Sequence, residues 1–244
     1  MRKWRYIMNE LEFLLKSSAE QFNIFLTPEQ VHKFIMYKNM LLETNKKFNL
    51  TAITDEKDII LKHFIDCMSL VSFFDFNAIK NMIDIGSGAG FPAIPLKILL
   101  PDLPITIVDS LNKRINFLKD ICRELSLENV ECLHARAEVL GQNKEYREQF
   151  DMCTSRAVAY LPVLSEFCIP FVCKNGYFLA MKGPSNINEE IEATLPIISE
   201  LGGAYEKTET YVVPTTNISH NIVFIKKIKD TPQKFPRTIS KIKK

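Results

Sequence analysis

The chain has 244 residues, 46% of them hydrophobic and 25% charged, with a formal net charge of +2, which describes an ordinary globular protein with one large core and argues against two equal domains. No apolar run approaches the roughly 18 residues of a membrane span, and Asn9, Glu10 and Glu12 interrupt the N-terminal pattern, so neither a spanning helix nor a signal peptide is expected and the expected location is cytoplasmic. The six cysteines include no C-x-x-C pair, which predicts reduced, partly buried thiols and no metal site.

From Asn9 to about Ile79 the apolar spacing is helical. Leu11, Leu14, Leu15, Ser18 and Phe22 mark one helix, and Thr27 before Pro28 and Glu29 caps a second that runs to about Lys46. A third is expected over Asp55–Phe74, with a break near Asp58. Strand alternation is missing here, so residues 1–79 read as a helical extension.

The periodicity then changes. Strands are predicted at Asn81–Ile85, Ile105–Asp109, Val130–His134, Asp151–Ser155 and Tyr177–Lys182, with helices at Pro92–Leu100, Lys113–Leu125 and Leu161–Cys173 between them. Alternation of strand and helix is the signature of a doubly wound α/β sheet. Tyr205–Val213 and Asn221–Ile228 make a final pair, read as an antiparallel hairpin at the sheet edge. From Lys226 to Lys244 eight basic residues face Asp230 alone. That basic tail on a mildly acidic body suits an anionic partner such as RNA, or simply a solvated end.

Asn81 to Leu96, NMIDIGSGAGFPAIPL, holds the most specific signal. Glycines in a turn after a strand let backbone N–H groups approach a ligand without Cβ obstruction, and Pro92 and Pro95 suit a helix's first turn. A dinucleotide turn, G-x-G-x-x-G, requires glycine at 91, where Phe91 stands, and the phosphate-cradling P-loop is absent. Asp84, Gly86, Gly88 and Gly90 instead resemble the first motif of Rossmann-like class I S-adenosylmethionine-dependent methyltransferases, in which the turn holds the cofactor's amino-acid end.

Other candidates sit at strand ends. Asp109 closes the second strand about twenty residues beyond the turn, where an acid accepts from ribose hydroxyls; with Ser110 it also reads as a helix cap. Ala137 and Glu138 follow the third strand at the crevice where the methyltransferase resemblance puts adenine, and Glu138 also reads as a solvated acid at a helix start. Arg156, after the fourth strand, faces the crevice toward cofactor or anionic substrate or else pairs with a nearby carboxylate, and Lys182, closing the fifth, would steady phosphate or position substrate or else snorkels at the rim. His63, in the apolar LKHFID, reads as a packed histidine. The [ND]-P-P-[YF] turn of adenine-amine methylation is absent, and Cys153 lies inside the fourth strand and reads as core, whereas carbon methylation of cytosine needs a nucleophilic cysteine beyond that strand. A target with an exposed lone pair, such as guanine N7, needs neither.

FNLTAI (Phe48–Ile53), HFIDCMSL (His63–Leu70), DIGSGAGFPAIPL (Asp84–Leu96), VDSLNKRINFL (Val108–Leu118), ARAE (Ala135–Glu138), SRAVA (Ser155–Ala159) and MKG (Met181–Gly183) together resemble the bacterial small-subunit rRNA guanine-N7 methyltransferases, the glucose-inhibited division protein B family. The resemblance implies a seven-stranded, mostly parallel sheet with an antiparallel C-terminal hairpin and a helical N-terminal extension, and methyl transfer from S-adenosylmethionine to N7 of a guanine in 16S rRNA. It carries Gly86, Phe91, Ala137, Glu138 and Arg156 over as cofactor contacts. The expected partner is 16S rRNA or the small ribosomal subunit, met as a monomer, with no membrane. Expected boundaries are 1–79 for the extension, 80–228 for the methyltransferase domain and 229–244 for the basic tail. Ala93 replaces a usual glycine, His220 stands where R-x-L-V would have arginine, TISKIKK replaces the usual A-G-x-P-x-K ending, and Met1 to Ile7 precede the family's usual start. A small-molecule methyltransferase, indifferent to loss of the tail, and a non-catalytic RNA-binding assembly factor, without cofactor affinity, stay open as alternatives.

Overall fold

A computed structural model describes residues 9–156, 159–183 and 187–242. Ala157 and Val158 of SRAVA, the stretch before Asn9, and Lys243 and Lys244 of the tail lie outside the described residues.

Seven strands form one sheet: β1 Met82–Ile85, β2 Ile105–Asp109, β3 Val130–His134, β4 Phe150–Arg156, β5 Val172–Lys182, β6 Gly203–Val212 and β7 Ser219–Lys227. Their order is β3-β2-β1-β4-β5-β7-β6. Pairs among β1 to β5 are parallel, whereas β7 runs antiparallel to both β5 and β6, giving the expected terminal hairpin. The order reverses between β1 and β4, and the crevice beyond their carboxyl ends is where open α/β sheets bind ligands. The glycine turn leaves β1 at that point and Arg156 ends β4.

Every residue of β1 and β2 is buried, as in a strand covered on both faces. Met82 faces one apolar cluster and Ile83 and Ile85 the other, as the period of two requires. The first cluster also contains Leu15, Phe34, Tyr37, Leu41 and Phe64, so the N-terminal helices share their core with the sheet. These are α1 (Glu10–Glu20), α2 (Pro28–Asn45) and α3, a broken helix over 56–73. Asn9 and Thr27 form capping boxes with Glu12 and Gln30. Where a break near Asp58 was expected, α3 instead widens into a π-helical segment at Ile60–Ile65, the kind of bulge that tends to occur at functional sites. Ala93–Leu99 (α4) and Asn112–Glu124 (α5) follow β1 and β2, and Ala137–Leu140 (α6) follows β3.

Two expectations need correction. The helix read as Leu161–Cys173 ends at Cys168 (α7); a single 3₁₀ turn at Ile169–Phe171 follows and β5 begins at Val172. Pro170, without an N–H, forces the exit. The sequence reading also lacked a helix over Ile187–Glu200 (α8), whose inner face includes Glu190 and Thr194 and whose interior holds Pro196, so its apolar stripe is broken.

After β7 the basic segment lies on the body. Arg147 donates to the carbonyls of Thr231, Pro232 and Phe235. Lys227 is buried against Glu148, and Arg237 makes a two-pronged contact with buried Glu166. These two cations, counted with the tail, are committed to internal partners. A last helical turn, Ile239–Ile242 (α9), ends the described chain.

Candidate active site

Gly86, Gly88 and Gly90 have φ of +73°, +61° and +108°, a region that side chains with a Cβ rarely occupy. A Cβ at Gly90 would strike Ile94, Leu118 and Tyr37 at 2.7–2.8 Å, whereas at Gly88 it would project into space, 4.0 Å from its nearest neighbour. One side of the turn is therefore packed, with Tyr37 Oη of α2 donating to the Ala89 carbonyl at 2.5 Å, and the other is open. Asp84 lies beneath, fully buried. Ser87 Oγ donates to one carboxyl oxygen, and Thr154 Oγ1 to the other at 2.7 Å. Burial raises its carboxyl to about 7, against those hydrogen bonds, which lower it. Asp84 thus braces the turn and lines no part of the cleft.

Three cavities follow one another along the strand ends. The glycine-turn cavity, about 420 Å³, is bounded by Gly86, Gly88, Phe91, Asp109 and Arg114, with Thr51 and His63 across from them. Gly86, Asp109 and Ser110 are shared with a second cavity of about 410 Å³, walled by Ala137, Glu138, Val163, Phe167 and Ile239. His63 and Arg156 are shared with a third, about 260 Å³, lined by Lys62, Asp66, Lys182 and His220 and walled by Ile53, Met181 and Ile218. The predicted residues other than Asp84 are thereby distributed over one bent cleft: Gly86, Gly88 and Phe91 in its middle, Asp109 and Ser110 at one junction, Ala137 and Glu138 at one end, Arg156 at the other junction and Lys182 at the far end.

Asp109 accepts from the Gly88 amide at 3.0 Å, the Leu111 amide at 2.9 Å and Arg114 at 3.3 Å. Of its roughly four acceptor positions about one is left, on Oδ1. It joins the glycine turn to β2 and closes the start of α5.

Arg156 is more constrained than an arginine awaiting a ligand. Its Nη1 donates to Asp66 Oδ2 at 2.8 Å and to the Lys62 carbonyl at 3.1 Å, its Nη2 meets His63 Nδ1 at 2.7 Å, and its guanidinium lies 4.8 Å from the Phe91 ring centre. Asp66 also accepts from Tyr211 Oη at 2.6 Å and meets His220 Nδ1 at 2.5 Å. Burial alone would raise the Asp66 carboxyl, but His220, Arg156 and Tyr211 hold it below the usual carboxylate range. Burial and the Arg156 cation push His63 down to about 3, so its imidazole is neutral at physiological pH. Lys182 donates to Glu190 Oε1 at 2.7 Å and to the Ala159 carbonyl at 2.9 Å, so α8 fixes it.

His63 was expected only to pack. It does stack on Phe91, at 4.4 Å between ring centres, but it also faces two cavities. Thr51, Asp66 and Tyr211 were not singled out at all. The spacing HFID gave a signal for Asp66, an acid one turn from a histidine in an otherwise apolar helix, while Tyr211 depends on the β6–β7 register. No cysteine lines any of the three cavities.

A family model described as "GidB: rRNA small subunit methyltransferase G" matches residues 30–229. A Clostridium botulinum (strain Loch Maree / Type A3) protein named ribosomal RNA small subunit methyltransferase G is 49% identical over 231 residues, spanning 95% of this chain and 96% of its own length. The Alkaliphilus oremlandii protein of the same name is 47% identical over 232 residues, 95% and 97% of the two chains. Among solved structures, TrmN from Thermus thermophilus superposes with a TM-score of 0.53 at 15% identity, covering 68% of this chain and 49% of that one. The YcgJ protein from Bacillus subtilis gives 0.50 at 14% identity, covering 70% and 100%. These two likenesses concern the fold alone.

Proposed function

The chain belongs to the rRNA small subunit methyltransferase G family, and on that premise we propose that it transfers a methyl group from S-adenosylmethionine to N7 of a guanine in 16S rRNA. The observation that carries the reading is the division of one cleft into three connected cavities that meet at the glycine turn and at the His63–Arg156 junction. A two-part cofactor and a base require that arrangement.

The residues fit S-adenosylmethionine. The open face of the turn, where a Gly88 Cβ would intrude, takes the amino-acid end; Asp109 offers its remaining acceptor position to a ribose hydroxyl; and Ala137, Glu138, Val163 and Phe167 enclose an adenine. The cofactor, when bound, supplies a methyl group on a positively charged sulfur.

The third cavity is assigned to the guanine. Ile53, Met181 and Ile218 offer apolar faces to a flat ring, and Lys182 and His220 edge the pocket with polar groups. N7 carries its own lone pair, so no group need remove a proton, and none of the lining residues stands as a general base: His63 is neutral but both ring nitrogens are engaged. What the protein contributes is orientation and field. Methylation at N7 leaves the purine positive. Asp66 lines the same cavity as a buried carboxylate that its partners hold ionised, and it balances much of the Arg156 charge that would otherwise oppose a positive purine there.

Incubation with methyl-labelled S-adenosylmethionine and either 16S rRNA or small subunits, followed by nucleoside mass spectrometry, tests the assignment. Label in N7-methylguanosine is expected; label in another nucleoside, or none, would overturn it.

A further inference from the structure

FNLTAI, Phe48–Ile53, lends Ile53 to the third cavity and places Thr51 beside the glycine turn. Its Thr51 faces the glycine-turn cavity, and the hydrogen bonds around it run in one direction only. A guanidinium has no lone pair to offer, so in the 2.7 Å contact between Arg156 Nη2 and His63 Nδ1 the imidazole nitrogen accepts. A neutral imidazole accepting at Nδ1 carries its proton on Nε2, and that N–H donates to Thr51 Oγ1 at 2.8 Å. The Ile53 amide donates to the same oxygen at 3.1 Å. Both lone pairs of the hydroxyl are filled from within the protein. Its proton has no acceptor among the described residues, since the nearby Asn45 Oδ1 is taken by the amides of Leu50 and Thr51.

We propose that Thr51 donates its hydroxyl proton to the α-carboxylate of S-adenosylmethionine, as the last member of a donor relay that runs from Arg156 through His63. The proposal rests on the cofactor reading above and adds a contact to it. A hydroxyl with both lone pairs filled can serve only an acceptor, which selects the carboxylate of the amino-acid end over its ammonium group. Each donor in the chain polarises the next, so the Arg156 cation strengthens a hydroxyl it does not touch.

The test is calorimetric binding to the full-length wild type and to Thr51→Val and Thr51→Ser, with S-adenosylmethionine and with its decarboxylated analogue. Thr51→Val should weaken S-adenosylmethionine roughly tenfold to hundredfold, the range for a hydrogen bond to a charged group, and leave the analogue unaffected. Thr51→Ser, which keeps the hydroxyl, should bind both ligands as the wild type does. Equal losses for both ligands in Thr51→Val would mean that the residue merely satisfies His63 and would overturn the proposal. Unchanged cofactor affinity with slowed transfer to RNA would overturn it in favour of a contact to the base. A wild type that binds neither ligand would overturn the cofactor reading itself.

Discussion

Two buried groups, His63 in the cleft and Asp84 beneath the glycine turn, are shifted in opposite senses, and their opposition can be measured. His63 is pushed from its ordinary value near 6.5 to about 3, by burial first and the Arg156 cation second. Between those limits the unfolded chain binds a proton at His63 that the native chain refuses. The stability due to neutral His63 is complete above about pH 6.5 and lost as pH falls toward 3. Asp84 is raised from 3.8 to about 7 by burial, so between those values the native chain holds a proton that the unfolded chain has released. Its contribution is complete below about pH 3.8 and lost as pH rises through about 7. Each slope is about 1.4 kcal/mol per pH unit, and in the shared window from about pH 4 to 6.5 they cancel. Urea unfolding at fixed pH separates them. His63→Gln preserves an acceptor for Arg156 and a donor for Thr51; its stability relative to wild type should rise by about 2 kcal/mol from pH 6 to 4.5. Asp84→Asn should fall relative to wild type by about the same amount over that range. Titration of all other carboxylates is common to the three proteins and drops out of the differences. Parallel pH curves, or variants that shift in the same direction, would refute the assignment of both groups.

Gly88→Val should fold, because its Cβ meets no protein atom, at about 1–2 kcal/mol for the left-handed backbone, yet should bind S-adenosylmethionine too weakly to detect by calorimetry. Ile239→Glu places a charge in the wall of the second cavity at a position still open to solvent, so it should weaken the cofactor only about threefold to tenfold, less than a fully buried polar group would, with the urea midpoint reporting whether α9 stays docked. If about four basic residues of the C-terminal segment contact single-stranded phosphate, RNA affinity measured by filter binding should fall about fiftyfold between roughly 50 and 200 mM salt; affinity indifferent to salt would remove that segment from the interface.

The parallel sheet was legible because each strand is a short apolar run bounded by turn residues, and the terminal hairpin because β-branched residues return after Pro214. The cofactor end was legible for a different reason: glycines and an acid at fixed intervals are local, and the backbone that needs them is local too. Arg156 and Lys182 could be placed at the rim from the strand ends alone. Their partners could not, since Asp66 and Glu190 come from helices 90 and 8 residues away and meet them only through packing. The π-helical segment is the sharpest case. Ile60–Ile65 reads as ordinary amphipathic helix, yet the bulge lies where His63, Asp66 and the Lys62 carbonyl converge on Arg156. Likewise the lysine count at the C-terminus was readable, but not that Lys227 would be buried against Glu148, or that Arg237 would pair with Glu166 from α7.

That convergence determines what the N-terminal helices are for. The glycine turn is held from the sheet side by Asp84 and Asp109 and from the helix side by Tyr37. The third cavity has Ile53, Lys62, His63 and Asp66 on one flank and Arg156, Met181, Lys182, Ile218 and His220 on the other, so neither flank encloses it alone. The two flanks are joined by polar contacts as well as by apolar packing, through the Arg156–Asp66 ion pair and the hydrogen bonds that Asp66 accepts from His220 and Tyr211. Loss of the Asp66 carboxylate leaves an arginine that is 15% exposed without its counter-ion, and removal of one partner from such a pair costs about 3–5 kcal/mol. It also removes a buried carboxylate from the lining of the third cavity. If the third cavity takes the guanine as proposed, the helical segment closes that pocket and lends it Asp66, and transfer should depend on residues that belong to neither the glycine turn nor the sheet.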